Sequence, residues 1–180
     1  MKIGDVEYTK ENIEVVARNV KGRYFLKKNP RWNIIVPFTY GCKLILSVGG
    51  GGVEPLIINA THAIDIAPNA IKYLRHQKWK GHFKVASCTN IPAPDKYFDV
   101  AVCSEVIEHL PEIADVKKTF SELERVAKKW IITTPGNPLG PKNTEPTHKR
   151  FLDLETLKNL TSKYPVEVFK GGNYNYVKKK

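Results

Sequence analysis

The sequence predicts an α/β fold: a doubly wound, mostly parallel, seven-stranded sheet with helices on both faces and a C-terminal antiparallel hairpin. Three observations predict it. From residue 43 onward, short apolar runs alternate with amphipathic stretches, the pattern of repeated βα units. The first apolar run passes directly into four glycines, Gly49, Gly50, Gly51 and Gly52, a turn of bare backbone between a strand and a helix. Near the C-terminus, two β-prone runs flank Gly171-Gly172-Asn173, a hairpin signal.

The elements follow in order. Thr9 can cap a helix that carries Ile13, Val16, Ala17 and Val20 on one face, and Asn29-Pro30 starts a second short helix that should end before Pro37. Residues 1–42 therefore read as a helical flank or lid, and residues 43–180 as the α/β core of a single domain. Strands are expected over 44–48, 62–66, 83–86, 100–103 and 130–133, with a short helix after the glycines, one after Pro68 through Leu74 and one over 116–127 with Phe120 and Leu123 inward. A helix over 154–160 and the hairpin strands 166–169 and 174–177 complete the core. The long Pro-, Gly- and Asn-rich loop over 135–146 is of the kind that covers a site.

Composition narrows the function classes. No apolar run is long enough to span a bilayer and the N-terminus lacks the apolar centre of a signal peptide, so a cytoplasmic protein with no membrane role is expected. Cys42, Cys88 and Cys103 are odd in number and without C-x-x-C spacing, which argues against a disulfide framework or a zinc knuckle. The net charge of +11 is uneven: from Val15 to Val53 there is no acidic residue, whereas Arg18, Lys21, Arg23, Lys27, Lys28, Arg31 and Lys43 are basic and Tyr24, Phe25 and Trp32 lie among them. Basic residues interleaved with aromatics can hold phosphates and stack bases, which makes nucleic acid a candidate partner of residues 18–43; an ordinary solvated basic face is the alternative.

In open α/β sheets ligands lie beyond the C-terminal ends of the strands, at the switch point. The first strand ends in the glycines. The second ends in Asp65, whose carboxylate can accept hydrogen bonds from both hydroxyls of a ribose or, alternatively, cap the following helix. The third ends in the small polar residues Ser87, Cys88, Thr89 and Asn90, and the fourth in "CSEVIEHLP". No register of the glycines gives G-x-G-x-x-G, because Glu54 and Pro55 intervene, which disfavours a nicotinamide dinucleotide. No Lys followed by Ser or Thr comes after the glycines either, which excludes a P-loop.

With these motifs in order, the chain resembles the class I S-adenosylmethionine-dependent methyltransferases, in the branch labelled methyltransferase type 11. The resemblance runs from about Lys43 to Leu160 through "LILSVGGGG", "AIDIAPNAI", "KVASCTNIPAPDKYFDVAVCSEVIEHLP", "ELERVAKKWIITTPGNP" and "THKRFLDLETLKNL". It implies a Rossmann-like fold and S-adenosyl-L-methionine as cofactor. Gly49 and Gly51 would approach the methionine part, Asp65 would hold the ribose, Ile66 and Cys88 would flank the adenine, Ser87 would stand where the family has an Asp for the adenine amine, and Ser104 would lie near the cofactor. The chain departs from the pattern at Ser47, where the family has an acid, and at Val53, where it has the closing glycine. Residues 53–65 are also several short of the usual length, so the first helix should be stunted.

A sulfonium methyl is already activated, so transfer needs a nucleophile held in line and, for an alcohol or protonated amine, a base. Glu105, Glu108 and His109 are the candidates; the two acids are three apart and can share a helix face, and His109 can instead be a structural helix-end histidine. The same residues with His148 also resemble the divalent-metal site of the small-RNA 3′-terminal 2′-O-methyltransferases. The expectation is a methyltransferase acting on an oxygen or nitrogen of an unidentified acceptor, a small molecule or RNA, with no metal. Two alternatives are a degenerate methyltransferase fold serving as a non-catalytic partner subunit and a metal-dependent RNA 2′-O-methyltransferase.

Overall fold

The computed structural model describes residues 2–3, 6–7, 30–137 and 147–179. Nine strands and five helices are present among them. The strands are β1 (Lys2–Ile3), β2 (Val6–Glu7), β3 (Ile45–Val48), β4 (His62–Asp65), β5 (His82–Val85), β6 (Phe98–Ser104), β7 (Ala127–Pro135), β8 (Glu167–Gly171) and β9 (Tyr174–Lys179). The helices are α1 (Trp32–Thr39), α2 (Glu54–Ile57), α3 (Ala70–His76), α4 (Ile113–Val126) and α5 (Leu154–Leu160), with a single 3₁₀ turn at Ile107–His109. β1 and β2 form a separate antiparallel pair, and the other seven strands form one sheet in the order β5-β4-β3-β6-β7-β9-β8. β9 runs antiparallel to both β7 and β8, and the remaining pairings are parallel. The switch point falls between β3 and β6, where the chain turns from one half of the sheet to the other.

Alternation along the central strands sorts side chains to two faces. Leu46, Val48, Ala101, Cys103, Trp130 and Ile132 pack on one face with Phe120 and Leu123 of α4 and Leu157 of α5. Ile45, Val100, Val102 and Ile131 pack on the other with Trp32 and Ile35 of α1. Asp99 sets the entry to β3: its carboxylate accepts the N–H groups of Lys43 and Leu44, both at 2.9 Å, and a 2.8 Å hydrogen bond from Lys128, which hold its carboxyl down at about 2. No helix joins β5 to β6; instead Arg125 of α4 donates to the carbonyls of Ile91 and Ala93 and to Glu122, pinning that crossover to the sheet.

Two expectations about the flank change. The N-terminal region includes the β1–β2 pair and is not wholly helical. The second short helix does not stop before Pro37 but passes through it to Thr39. Proline removes one helical N–H and crowds one carbonyl, a local cost that burial of Trp32 and Ile35 outweighs, while Thr39 Oγ1 donates to the Val36 carbonyl at 2.9 Å. The helix expected from Thr9, the basic residues 18–28 and most of the loop over 135–146 lie outside the described residues. No helix among the described residues is long and apolar enough to cross a membrane.

Candidate active site

The glycine turn leaves β3 at Gly49, which is exposed and has φ +74°, a conformation that favours glycine. A Cβ here would come within 2.4 Å of Val106 Cγ2, and one at Gly51 within 2.6 Å of Asp65 Oδ2. The turn is tied down by its own amides. The N–H groups of Gly49 and Gly50 both donate to the Ile64 carbonyl at 2.9 Å, and that of Gly51 donates to Asp65 Oδ2 at 2.8 Å. What the glycines offer a ligand is therefore absent side chains rather than a row of free amides. The helix after them, α2, is stunted to four residues, with Pro55 in its first turn.

Asp65 ends β4 with both oxygens engaged, Oδ1 accepting from Ala67 N–H at 2.8 Å. It is not the N-cap of α3, a position that Asn69 occupies. Burial raises its pKa, against the pull of backbone N–H groups from Ala67, Gly51 and Ile66. Each carboxylate oxygen keeps a second lone pair for a ligand hydroxyl. Ile66 is half-buried beside it. Ser87 closes a tight turn after β5, its Oγ 2.8 Å from Thr89 Oγ1 and accepting from Thr89 N–H at 3.1 Å. Cys88 is buried with its sulfur 3.3 Å from Thr119 Oγ1, so its thiol belongs to the core under α4.

Across the switch point the strand ends carry hydroxyls and carboxyls. On the α1 face, Ser47 donates to Glu54 Oε1 at 2.6 Å, Ser104 and Thr133 hydroxyls lie 2.8 Å apart, and Thr133 donates to Glu105 Oε1 at 3.0 Å. Arg31 Nη1 stands 3.9 Å from Glu105 Oε2 and stacks over the Trp32 ring. Burial drives these acids toward their neutral forms: Glu54 is pushed up to about 8, and Glu105 is raised although Arg31 and Thr133 oppose it. On the α4 face, Glu108 is fully buried and accepts from Thr134 at 3.2 Å, and burial followed by the nearby Glu105 charge holds its carboxyl well above the usual range.

Glu105 and Glu108 do not share a helix face. Glu105 takes φ +57° just past β6, and the chain then makes only the 3₁₀ turn, so the two acids point to opposite faces of the sheet end. His109 is half-buried, with its ring centroid 4.6 Å from that of His148. The approach is built by the backbone: Lys149 N–H donates to the Glu108 carbonyl at 2.8 Å and Arg150 to that of Pro111. One ligand atom each from Glu108, His109 and His148 lie within 4.8 Å of one another.

Sequence reasoning missed Glu54, Thr133 and Thr134. Glu54 is the first acid after the acid-free stretch 15–53 and stands two residues beyond the glycines, but in the sequence it looks like any exposed acid at a helix start. The "TT" before Pro135 was legible as paired hydroxyls at a strand end.

A methyltransferase domain family model matches residues 46–130. None of the curated protein sequences matches the chain significantly. Among solved structures, a protein of Methanococcus maripaludis described as an S-adenosyl-L-methionine-dependent methyltransferase is 15% identical, with TM-score 0.73 over 99% of this chain and 95% of that one. A SAM-dependent methyltransferase from Archaeoglobus fulgidus gives 19% identity and TM-score 0.71 over 92% and 99%. One from Aquifex aeolicus gives 18% and 0.63 over 96% and 99%. At these identities the likeness is one of fold.

Proposed function

We propose that the chain is a class I S-adenosylmethionine-dependent methyltransferase, a reading supported by the methyltransferase domain model over residues 46–130 and by the shared fold, and that it binds the cofactor along Gly49, Gly51, Asp65 and Ile66 and transfers the methyl to an oxygen or nitrogen of a polyanionic acceptor, RNA first. The observation that carries the reading is the pairing, across one switch point, of a nucleoside-shaped edge with a cluster of proton-handling groups. A side chain at Gly51 would occupy the space of the Asp65 carboxylate, so the bare turn and the acid are fitted to each other. Asp65 supplies acceptors for ribose hydroxyls, Ile66 an apolar contact for a flat ring, and Ser87 a small polar edge.

When bound, the cofactor supplies an activated methyl on a sulfonium centre. The chain's own task is to hold the acceptor and move its proton. His109, half-exposed and at the end of the 3₁₀ turn, takes that proton; Glu105, steadied by Thr133 and Arg31, faces the acceptor side. Glu108 is too deeply buried to touch an acceptor and holds the turn in place through Thr134. The net charge of +11 and the basic residues over 18–43 favour a phosphate-rich acceptor.

The test is transfer of labelled methyl from cofactor to a panel of small amines, small alcohols and RNA, with His109→Asn alongside. Label in RNA that falls about 100-fold or more in the variant, with unchanged cofactor affinity, supports the reading. RNA binding that does not weaken with salt removes the phosphate-rich acceptor.

A second reading is favoured by the Glu108, His109 and His148 grouping, and by Glu108 Oε1, which is buried without a hydrogen-bond partner among the described residues. A mixed carboxylate and imidazole set suits Mn²⁺ or a similar ion. Loss of activity on chelation and its return with Mn²⁺ would make this the metal-dependent RNA-end enzyme; activity indifferent to chelator removes it.

A further inference from the structure

Glu54 is an unusual residue to find beneath a cofactor turn. It opens α2, yet its carboxyl folds back under the glycines to take the Ser47 hydrogen at 2.6 Å, and the residue is only 8% exposed. The groups that face it come from three elements. Ser47 stands at the end of β3, Cys103 and Ser104 at the end of β6 with Glu105 just beyond, and Arg31 at the start of α1. Of these only Arg31 is a cation, and its guanidinium lies beside Glu105. The carboxyl thus sits beside the switch point, and among the described residues the cation that acts on it, Arg31, is also paired with Glu105.

Resting on the cofactor assignment above, we propose that Glu54 is the group that answers the cofactor's positive charge: its carboxyl O–H passes a proton to solvent as the sulfonium form enters, and regains one when the neutral thioether product takes its place. On Glu54 no covalent bond other than that O–H changes; the methyl leaves the sulfonium for the acceptor in the transfer step itself. A buried carboxyl is neutral when nothing positive is near and ionises when a cation is brought into the same low-dielectric site. Burial pushes its pKa up to about 8, which fits the neutral form at pH 7. The inference gives Glu54 a positioning and discriminating role: it separates S-adenosylmethionine, which carries the sulfonium, from S-adenosylhomocysteine, which does not.

The test is titration calorimetry of the full chain at pH 6.5 to 8.5, in buffers of different ionisation heat, which counts protons released on binding. For S-adenosylmethionine the expected release at pH 7 is roughly one proton, with affinity rising up to about tenfold per pH unit and levelling near pH 8. S-adenosylhomocysteine should release far less. Glu54→Gln keeps an acceptor for Ser47 and should abolish the release, which separates Glu54 from Asp65, His109 and His148. Ser47→Ala removes a donor that favours the ionised form and should move the release to higher pH. Binding by wild type without proton release, equal release from Glu54→Gln, or no shift in Ser47→Ala each overturns the inference while leaving the cofactor assignment standing. No binding at any pH removes both.

Discussion

On the β4 side of the glycine turn a single carboxylate, Asp65, accepts hydrogen bonds from the backbone N–H groups of Gly51 and Ala67. On the β6–β7 side three carboxyls, Glu54, Glu105 and Glu108, are met by the hydroxyls of Ser47, Thr133 and Thr134, with Arg31 at the margin. Burial raises the pKa of all four, but the counterweights differ. Backbone amides are fixed donors that favour the charged form. A hydroxyl can donate or accept, so it satisfies a carboxyl in either state. In the proposed reading, one side presents a charge to ribose hydroxyls and the other carries protons that can leave.

The largest expected consequence is in stability against pH. A carboxyl whose folded pKa lies above its unfolded value keeps its proton longer in the native protein, so stability is highest below the unfolded value and declines as pH rises to the folded one. For Glu54 that window runs from 4.5 to about 8, and Glu105, Glu108 and Asp65 act in the same direction. Denaturant melts should show several kcal/mol lost over this range, because each tenfold difference in proton affinity between the folded and unfolded chain is worth about 1.4 kcal/mol. Stability rising through the same interval would mean that the acids are ionised and paired, and the contrast between the two sides would fail.

Substitutions sharpen the contrast further. Gly51→Ala would put a methyl 2.6 Å from Asp65 Oδ2 and 3.1 Å from Ala70 Cβ, so it should cost about 100-fold or more in cofactor affinity by displacing the carboxylate. Affinity within threefold of wild type would show that the turn has slack. Asp65→Ala should weaken binding by about 1.5–3 kcal/mol, the scale of charged hydrogen bonds. It should also lower the melting temperature by a few degrees, because two backbone N–H groups lose their acceptor. Equal affinity would reject the ribose assignment. The smallest effect belongs to the most buried acid below pH 4, where Glu108→Gln should change stability by less than about 1 kcal/mol because the folded and unfolded chains both hold the proton; at pH 7 the substitution should stabilise, since folding no longer requires that carboxyl to take up a proton. A loss of stability at pH 7 would show an ionised, paired Glu108.

The difference between the two sides also explains what was legible in the sequence. The sheet, its order of elements and the hairpin follow from apolar periodicity, because strands buried on both faces leave a continuous apolar signature. Gly49, Gly51 and Asp65 are local features of strand ends and could be read in place. Glu54 could not, because its carboxyl turns back seven residues to Ser47, and nothing in a linear pattern separates that from an exposed helix-start acid. The helix face expected for Glu105 and Glu108 failed for a related reason: Glu105 takes a left-handed backbone, which only the packing around the strand end imposes. The helix through Pro37 persists because tertiary burial of Trp32 and Ile35 overrides a local breaker.

The most direct measurement is titration calorimetry of the purified protein with S-adenosylmethionine and, separately, with S-adenosylhomocysteine, repeated on Asp65→Ala. The account predicts micromolar binding by the native chain, weakened at least tenfold by the substitution. No binding of either ligand up to millimolar concentration would contradict it, and the glycine turn would then have lost its cofactor.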